Sequence, residues 1–274
     1  MDNYELYHGD CLEIMQKLID DGVKVDMVLT DPPYGTTACK WDSVIPFDKM
    51  WEKLNLLIKD NGAIVLTASQ PFTSLLVNSN IKDFKYEWIY KKVTGSNFAV
   101  LKYQPMKEHE NVLVFSKNTH FYNPIKEERG GNEKGKTRKP TRKESLYTVY
   151  SEGVYGAIKS DRDTREYGEL RNPSSVQTFN NRKPSDRGLH PTQKPLELME
   201  YLIKTYTNEG ETVLDNCMGS GTTGVACKKT GRHFIGIEKE KQYFDIAQKR
   251  ISEASKVTNL FNTEETITEQ LCLS

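Results

Sequence analysis

Apolar residues along this chain follow two alternating rhythms. Short unbroken runs read as strands buried on both faces: Met27-Val28-Leu29, Ala63-Ile64-Val65-Leu66-Thr67, Thr212-Val213-Leu214-Asp215 and His233 to Glu238. Tyr4 to Asp10 (ending on Gly9-Asp10), Tyr86 to Tyr90 and Asn111 to Phe115 add three more. Between them, apolar residues recur at helical spacing. Leu12, Met15, Leu18 and Ile19 make one helix, and Phe47, Met50, Trp51, Leu54, Leu57 and Ile58 a second, ended by Asn61-Gly62. A third opens at Pro71 and carries Leu75, Leu76 and Val77. Leu196 to Ile203, Val225 to Cys227 and Tyr243 to Ile251 supply the rest. Strands alternating with helices predict an α/β fold with a doubly wound, mostly parallel sheet.

The pattern breaks between Lys126 and Arg187. Apolar residues thin out, and fifteen bases stand against ten acids in a chain whose total charge is zero. Arg129 to Lys143 alone holds seven bases and one acid, Glu133. Tyr147, Tyr150, Tyr155, Tyr167 and Phe179 are interleaved. Bases neutralise phosphates and aromatics offer faces to nucleobases, so the segment is a candidate nucleic-acid surface; a solvated loop is the plainer alternative. The domain reading is therefore residues 1–125, an insert at 126–187, a return to regular structure at 188–255, and a polar tail at 256–274.

No apolar run is long enough to span a bilayer, and Met1 to Glu5 lacks the character of a signal peptide. Five cysteines, none in CxxC spacing, point away from a zinc site or a disulfide framework and toward the cytoplasm, with no metal.

Two stretches carry candidate chemistry. The first follows the Met27 strand: Asp31-Pro32-Pro33-Tyr34-Gly35. Proline cannot donate to a ladder, so pairing stops and the chain leaves along a stiff path. Asp31 and Tyr34 then sit at a strand's carboxyl end, where open α/β sheets bind ligands. Acceptors beside an aromatic face suit a planar group with an amino substituent. The second is Asp215-Asn216-Cys217-Met218-Gly219-Ser220-Gly221-Thr222-Thr223, with Glu238 ending the next strand 23 positions beyond Asp215. A glycine turn between strand and helix, with an acid at that distance, is a nucleotide-binding unit. It lacks the lysine of a phosphate-cradling loop, and Asp215 would repel a pyrophosphate. A ligand with a positive amino group fits better. Near the start, Asp10 either caps the first helix or faces a ligand.

Together these motifs resemble the S-adenosylmethionine-dependent DNA amino-methyltransferases, in particular their permuted β class. There the Asp-Pro-Pro-Tyr motif precedes the target-recognition region and the glycine-rich cofactor motif comes last, as in this chain. His109 to Phe115 is similar to the strand before the recognition region, and His190-Pro191-Thr192-Gln193-Lys194-Pro195 to the motif before the cofactor strand. Asn216-Cys217 departs from the usual Pro-Phe. The resemblance implies a seven-stranded, circularly permuted Rossmann-like sheet with an inserted target-recognition region. It implies that Asp31, Pro32, Pro33 and Tyr34 are catalytic. It implies that Asp10, Asp31, His190, Thr192, Lys194, Asp215, Asn216, Gly219, Ser220, Gly221, Thr222 and Glu238 bind S-adenosylmethionine, with Asp10 near the adenine and Glu238 on the ribose.

The activity so implied is methyl transfer to adenine N6 of a base flipped out of DNA, with Asp31 and the Pro32 carbonyl drawing on the amino hydrogens and Tyr34 stacking on the base. Cytosine N4 is the first alternative, although that branch more often has Ser at the position of Asp31. RNA or protein-glutamine methylation, where Asn is common there, and a binding module without catalysis complete the set. DNA is the expected partner, a membrane is not, and a homodimer is left open.

Overall fold

The computed structural model describes residues 3–36, 39, 42–128, 170–181 and 193–254. The chain divides into two compact units, Met1–Asn123 with Ser175–Ser274, and Pro124–Ser174.

The larger unit is built on one eight-stranded sheet. Its strands are β1 (Tyr4–His8), β2 (Val25–Thr30), β3 (Ile58–Ala68), β4 (Phe84–Ser96), β5 (Lys107–Phe115), β8 (Val176–Phe179), β9 (Thr212–Asp215) and β10 (His233–Glu238), in the order β1-β10-β9-β2-β3-β5-β4-β8. The first five in that order are parallel, and β5 runs against both β3 and β4. The expected mostly parallel sheet is therefore present. The added strand, β8, comes from within the 126–187 segment and pairs in parallel with β4.

Helices cover both faces. Along β2 the side chains alternate: Met27 and Leu29 point to one core, Val28 to the other. On the Val28 side lie α1 (Cys11–Asp20), α2 (Phe47–Leu57) and α3 (Phe72–Ser79), through Met15, Leu54 and Leu76. On the Met27 side lie α4 (Leu196–Tyr206), α5 (Thr222–Thr230) and α6 (Lys241–Glu253), through Leu202, Ala226 and Ile251. This double burial is why β2 reads as an unbroken apolar run.

One boundary differs from expectation. Asn61-Gly62 does not end α2; the helix stops at Leu57 and the chain passes directly into β3. Residues 59–62 form an irregularity between the Val25–Ile58 and Met27–Ala63 pairs. A side chain at Gly62 would come within 2.7 Å of the Asp26 carbonyl oxygen, so the glycine serves a close backbone approach and not a helix stop.

Within the smaller unit, two short strands pair antiparallel: β6 (Glu127–Glu128) and β7 (Leu170–Arg171). Arg171 Nη2 lies 3.5 Å from Glu127 Oε2. The basic cluster from Arg129 to Lys143, His190, Thr192 and the 256–274 tail lie outside the described residues. No described helix is long and apolar enough to cross a membrane.

Candidate active site

Because β1, β10, β9, β2 and β3 are parallel, their carboxyl ends line one edge of the sheet. That edge carries, in order, Asp10, Glu238, Asp215, Asp31 and Thr67. A cleft of ≈ 470 Å³ opens there. It gathers residues far apart in sequence: Asp10, Asp31, Pro32, Pro33 and Tyr34 from the first half, and Lys194, Asp215, Asn216, Gly219, Ser220, Thr222 and Glu238 from the second.

Gly221 is the described exception. It does not line the cleft. Its φ is 80°, and a side chain there would stand 2.8 Å from Ala247 Cβ on α6. This glycine allows helix packing where a ligand contact was expected.

Asp31 accepts from three side chains. Its Oδ2 accepts from Lys194 Nζ at 2.6 Å. Its Oδ1 accepts from Tyr34 Oη at 2.7 Å and from the Thr67 hydroxyl. The Tyr34 ring stacks on Phe72, with centroids 4.9 Å apart and planes at 23°, and Lys194 Nζ is 5.5 Å from the Tyr34 centroid. Beyond the prolines, Asp42 fixes the loop by accepting from the backbone N–H of Gly35 and Thr36, both at 2.9 Å.

Lys194 is buried, 7% exposed, and also lies 3.4 Å from Glu110 Oε2. Glu110 Oε1 is 2.5 Å from Lys92 Nζ. Asp31, Lys194, Glu110 and Lys92 thus form a chain of alternating charge. Burial alone would push the Lys194 ammonium down, but Asp31, Tyr34 and Glu110 hold it well above its ordinary range. Burial would likewise raise Glu110, and the two lysines outweigh it and lower the carboxyl. The Tyr34 phenol is pushed well up, first by burial and then by the charge of Asp31.

The glycine-rich loop is held by its own acids. Asp215 Oδ2 accepts from Thr223 Oγ1 at 2.6 Å and Oδ1 from the Cys217 N–H at 3.1 Å. Burial raises its carboxyl to about 7. Glu238 accepts from the Gly219 N–H at 2.9 Å and the Glu240 N–H at 2.7 Å; burial raises it too. Asp10 caps α1, accepting from the Leu12 N–H at 3.0 Å, and still borders the cleft. The capping reading of Asp10 therefore holds, on a side chain that also borders the cleft.

Two buried polar atoms on the cleft wall have no hydrogen-bond partner, Asn216 Oδ1 and Gln193 Nε2. Unsatisfied buried groups are uncommon and call for a partner such as a water or a ligand. Together with the acids, they fit a polar, cationic group that both donates and accepts.

Thr67, Glu110, Asp42 and Gln193 were not singled out from sequence. Thr67 and Glu110 sit on strands whose apolar runs explain them as β positions. Only the pairing of β3 with β5 brings them to one place, Thr67 onto the Asp31 carboxylate and Glu110 to it through Lys194.

Known proteins resemble this chain in sequence and in fold. The chain is 29% identical to Type II methyltransferase M2.DpnII of Streptococcus pneumoniae, over 93% of this chain and 91% of that one. It is 26% identical to Type II methyltransferase M2.LlaDCHI of Lactococcus lactis subsp. cremoris, with the same coverage. Among solved structures it is similar to an M1.HpyAVI–SAM complex, with a TM-score of 0.59, 28% identity, and 90% and 99% of the two chains covered. The PvuII DNA methyltransferase (cytosine-N4-specific) shares the fold at 16% identity, with a TM-score of 0.62 and 98% and 91% covered. With two acid-ended strands facing one cleft and a family model that matches residues 25–249, the chain belongs to the DNA methylase family N6_N4_Mtase.

Proposed function

We propose that this protein transfers a methyl group from S-adenosylmethionine to adenine N6 at a specific site in DNA, as a member of the permuted β class. The observation that carries the reading is Asp31, held by Lys194, Thr67 and Tyr34 in the same cleft as the Asp215 loop and Glu238. The cofactor is the group seen with M1.HpyAVI. Here Asp215, Asn216, Gln193, Glu238 and Asp10 would hold it, along with His190 and Thr192 from the adjoining motif. When bound, it supplies an electrophilic methyl group on a positively charged sulfur.

The chain's own residues account for the remainder. An exocyclic amine is a weak nucleophile because its lone pair is conjugated into the ring. Asp31 and the Pro32 carbonyl accept the amino hydrogens and draw the nitrogen toward tetrahedral geometry. As positive charge builds on nitrogen, the Asp31 carboxylate stabilises it, and its partners keep it in place beforehand. Lys194 has a second carboxylate, Glu110, within 3.4 Å to turn to when the amine takes its place on Asp31. Tyr34 faces the extruded base, with Phe72 backing its ring. The basic segment from Lys126 to Arg187 meets the DNA backbone and selects the site.

Cytosine N4 is the second reading, since the family covers both amines. Asp at position 31, where the N4 branch more often has Ser, favours adenine. The test is methyl transfer from labelled cofactor to genomic DNA, followed by hydrolysis and mass analysis of the bases. N6-methyladenine supports the proposal, N4-methylcytosine transfers it to the second reading, and no label in DNA rejects both.

A further inference from the structure

β4 and β5 continue past the level of the catalytic carboxylate. Tyr90 stands opposite Glu110, and Glu110 reaches Asp31 through Lys194. From Tyr90, β4 runs on through Lys91 to Ser96, at most roughly 20 Å at about 3.3 Å per residue. Its direction follows from the ladder. β5 is antiparallel to β3, and β4 antiparallel to β5, so β4 leaves the same sheet edge as the Asp31 loop. In sheet order β4 stands three places from β2, about 14 Å at about 4.8 Å per neighbour. That is close to the width of a DNA major groove, about 12 Å. An arm of residues 91–107 thus rises beside the cleft.

The crown of this arm is apolar outside and tied inside. Tyr103 is 81% exposed, Val93 62% and Phe98 52%, with Val100, Leu101 and Met106 also exposed. Asn97 adopts the left-handed conformation, φ 63°. Its side chain accepts from the Lys107 N–H at 2.8 Å and donates to the Pro105 carbonyl at 3.2 Å. Gly95 lies under Met106, where a side chain would come within 2.4 Å of Cγ. Below, Asn181 brackets Thr94, accepting from its N–H at 3.1 Å and donating to its carbonyl at 2.9 Å. A loop pinned at both levels that still presents large apolar side chains to water is an interaction surface. Its charge names the partner. From Lys91 to Lys107 there are four lysines and no acid. Lys92 is engaged by Glu110, while Lys91 and Lys102 are exposed.

We propose that this arm is a wedge against duplex DNA. Phe98, Leu101 and Tyr103 occupy the gap in the stack beside the extruded target base, and Lys91 and Lys102 meet the flanking phosphates. Extrusion leaves unstacked faces, and apolar side chains inserted at a base step fill such gaps. The proposal rests on the reading of the protein as a DNA methyltransferase.

The test compares the full chain with its Phe98→Ala/Tyr103→Ala variant, once the methylated sequence is known from sequencing modified DNA. Single-turnover methyl transfer is measured on a duplex with the target base paired and on one with it mispaired. On the paired duplex the variant is expected to be at least about tenfold slower, the scale of one lost base–aromatic stack. On the mispaired duplex, where extrusion is easier, the deficit should shrink to about twofold or less. Equal rates on the paired duplex, or the same deficit on both, would overturn the wedge. So would a change in sedimentation from dimer to monomer, which would assign the surface to a second copy of the chain. If the double variant unfolds, Tyr103→Ala alone carries the comparison, since that ring is the most exposed. A wild-type chain inert on all DNA would instead defeat the methyltransferase reading, and the wedge with it.

Discussion

Lys194 Nζ lies 2.6 Å from Asp31 Oδ2, across 163 positions of sequence. The contact joins the loop after β2 to the segment entering α4, so an ion pair between a buried lysine and a partly buried carboxylate adds to the β1–β10 and β2–β9 ladders that join the two halves of the cleft. Removing one partner of such a pair leaves an uncompensated charge and costs about 3–5 kcal/mol. Lys194→Met should lower unfolding free energy on that scale in chemical denaturation. Glu110→Gln should cost less in that background than in the wild type, because the carboxylate has already lost one of its two lysines and keeps only Lys92. Strict additivity of the two would show that Glu110 and Lys194 do not interact.

Asp31 acts on charge that develops during reaction, so its loss belongs in turnover more than in affinity. Asp31→Ala is expected to slow single-turnover methyl transfer at least about a hundredfold, as for one preorganised electrostatic group. DNA binding should persist, since phosphate contacts supply most of it. Transfer at the wild-type rate would reduce the Asp-Pro-Pro-Tyr stretch to a turn.

Asp215 gives a pH dependence. Its folded carboxyl is raised to about 7 by burial, above an ordinary value of about 3.9. The raised value means that ionisation disfavours the empty fold, whose stability falls as pH rises between those two values. A cationic ligand reverses the preference by pairing with the charged form. Affinity for S-adenosylmethionine should therefore rise from pH 6 toward pH 8, by up to about tenfold per unit below the carboxyl's value. Calorimetry on Asp215→Asn should show that rise abolished.

Glu238 holds the glycine loop through the Gly219 N–H and is the candidate ribose acceptor. Glu238→Ala should weaken cofactor binding by about 1.5–3 kcal/mol, the scale of a charged hydrogen bond. Wild-type affinity in the same titration would remove it from the site.

For the basic segment, neutralising Arg138, Lys139, Arg142 and Lys143 should weaken DNA binding and flatten its dependence on salt, with cofactor affinity unchanged. A salt slope equal to that of the wild type would move DNA recognition elsewhere in the chain.

Sequence alone determined most of the elements and their contents. Met27-Val28-Leu29 reads as a strand buried on both faces and Pro32-Pro33 as its end, because these follow from local sterics, run length and flanking residues. The order of Asp31 before the glycine loop, and the spacing of Asp215 and Glu238, were equally legible, since motifs of this kind are local in the chain. Tertiary structure decided what depends on pairing between distant segments. Nothing local brings Lys194 to Asp31, places Glu110 behind it, or joins Thr67 to the same oxygen as Tyr34. Strand pairing does that: parallel register sets five strand ends on one edge, the antiparallel β3–β5 pair adds Glu110 beside them, and Lys194 is brought in on the way into α4. The same holds for the β4–β5 arm. Its lysines and exposed rings look like an ordinary polar connection until the antiparallel ladder aims them past the cleft. Asn61-Gly62 shows the limit from the other side. The pair has the local chemistry of a helix stop, yet the close approach of Gly62 to the Asp26 carbonyl, a contact across strands, sets its role.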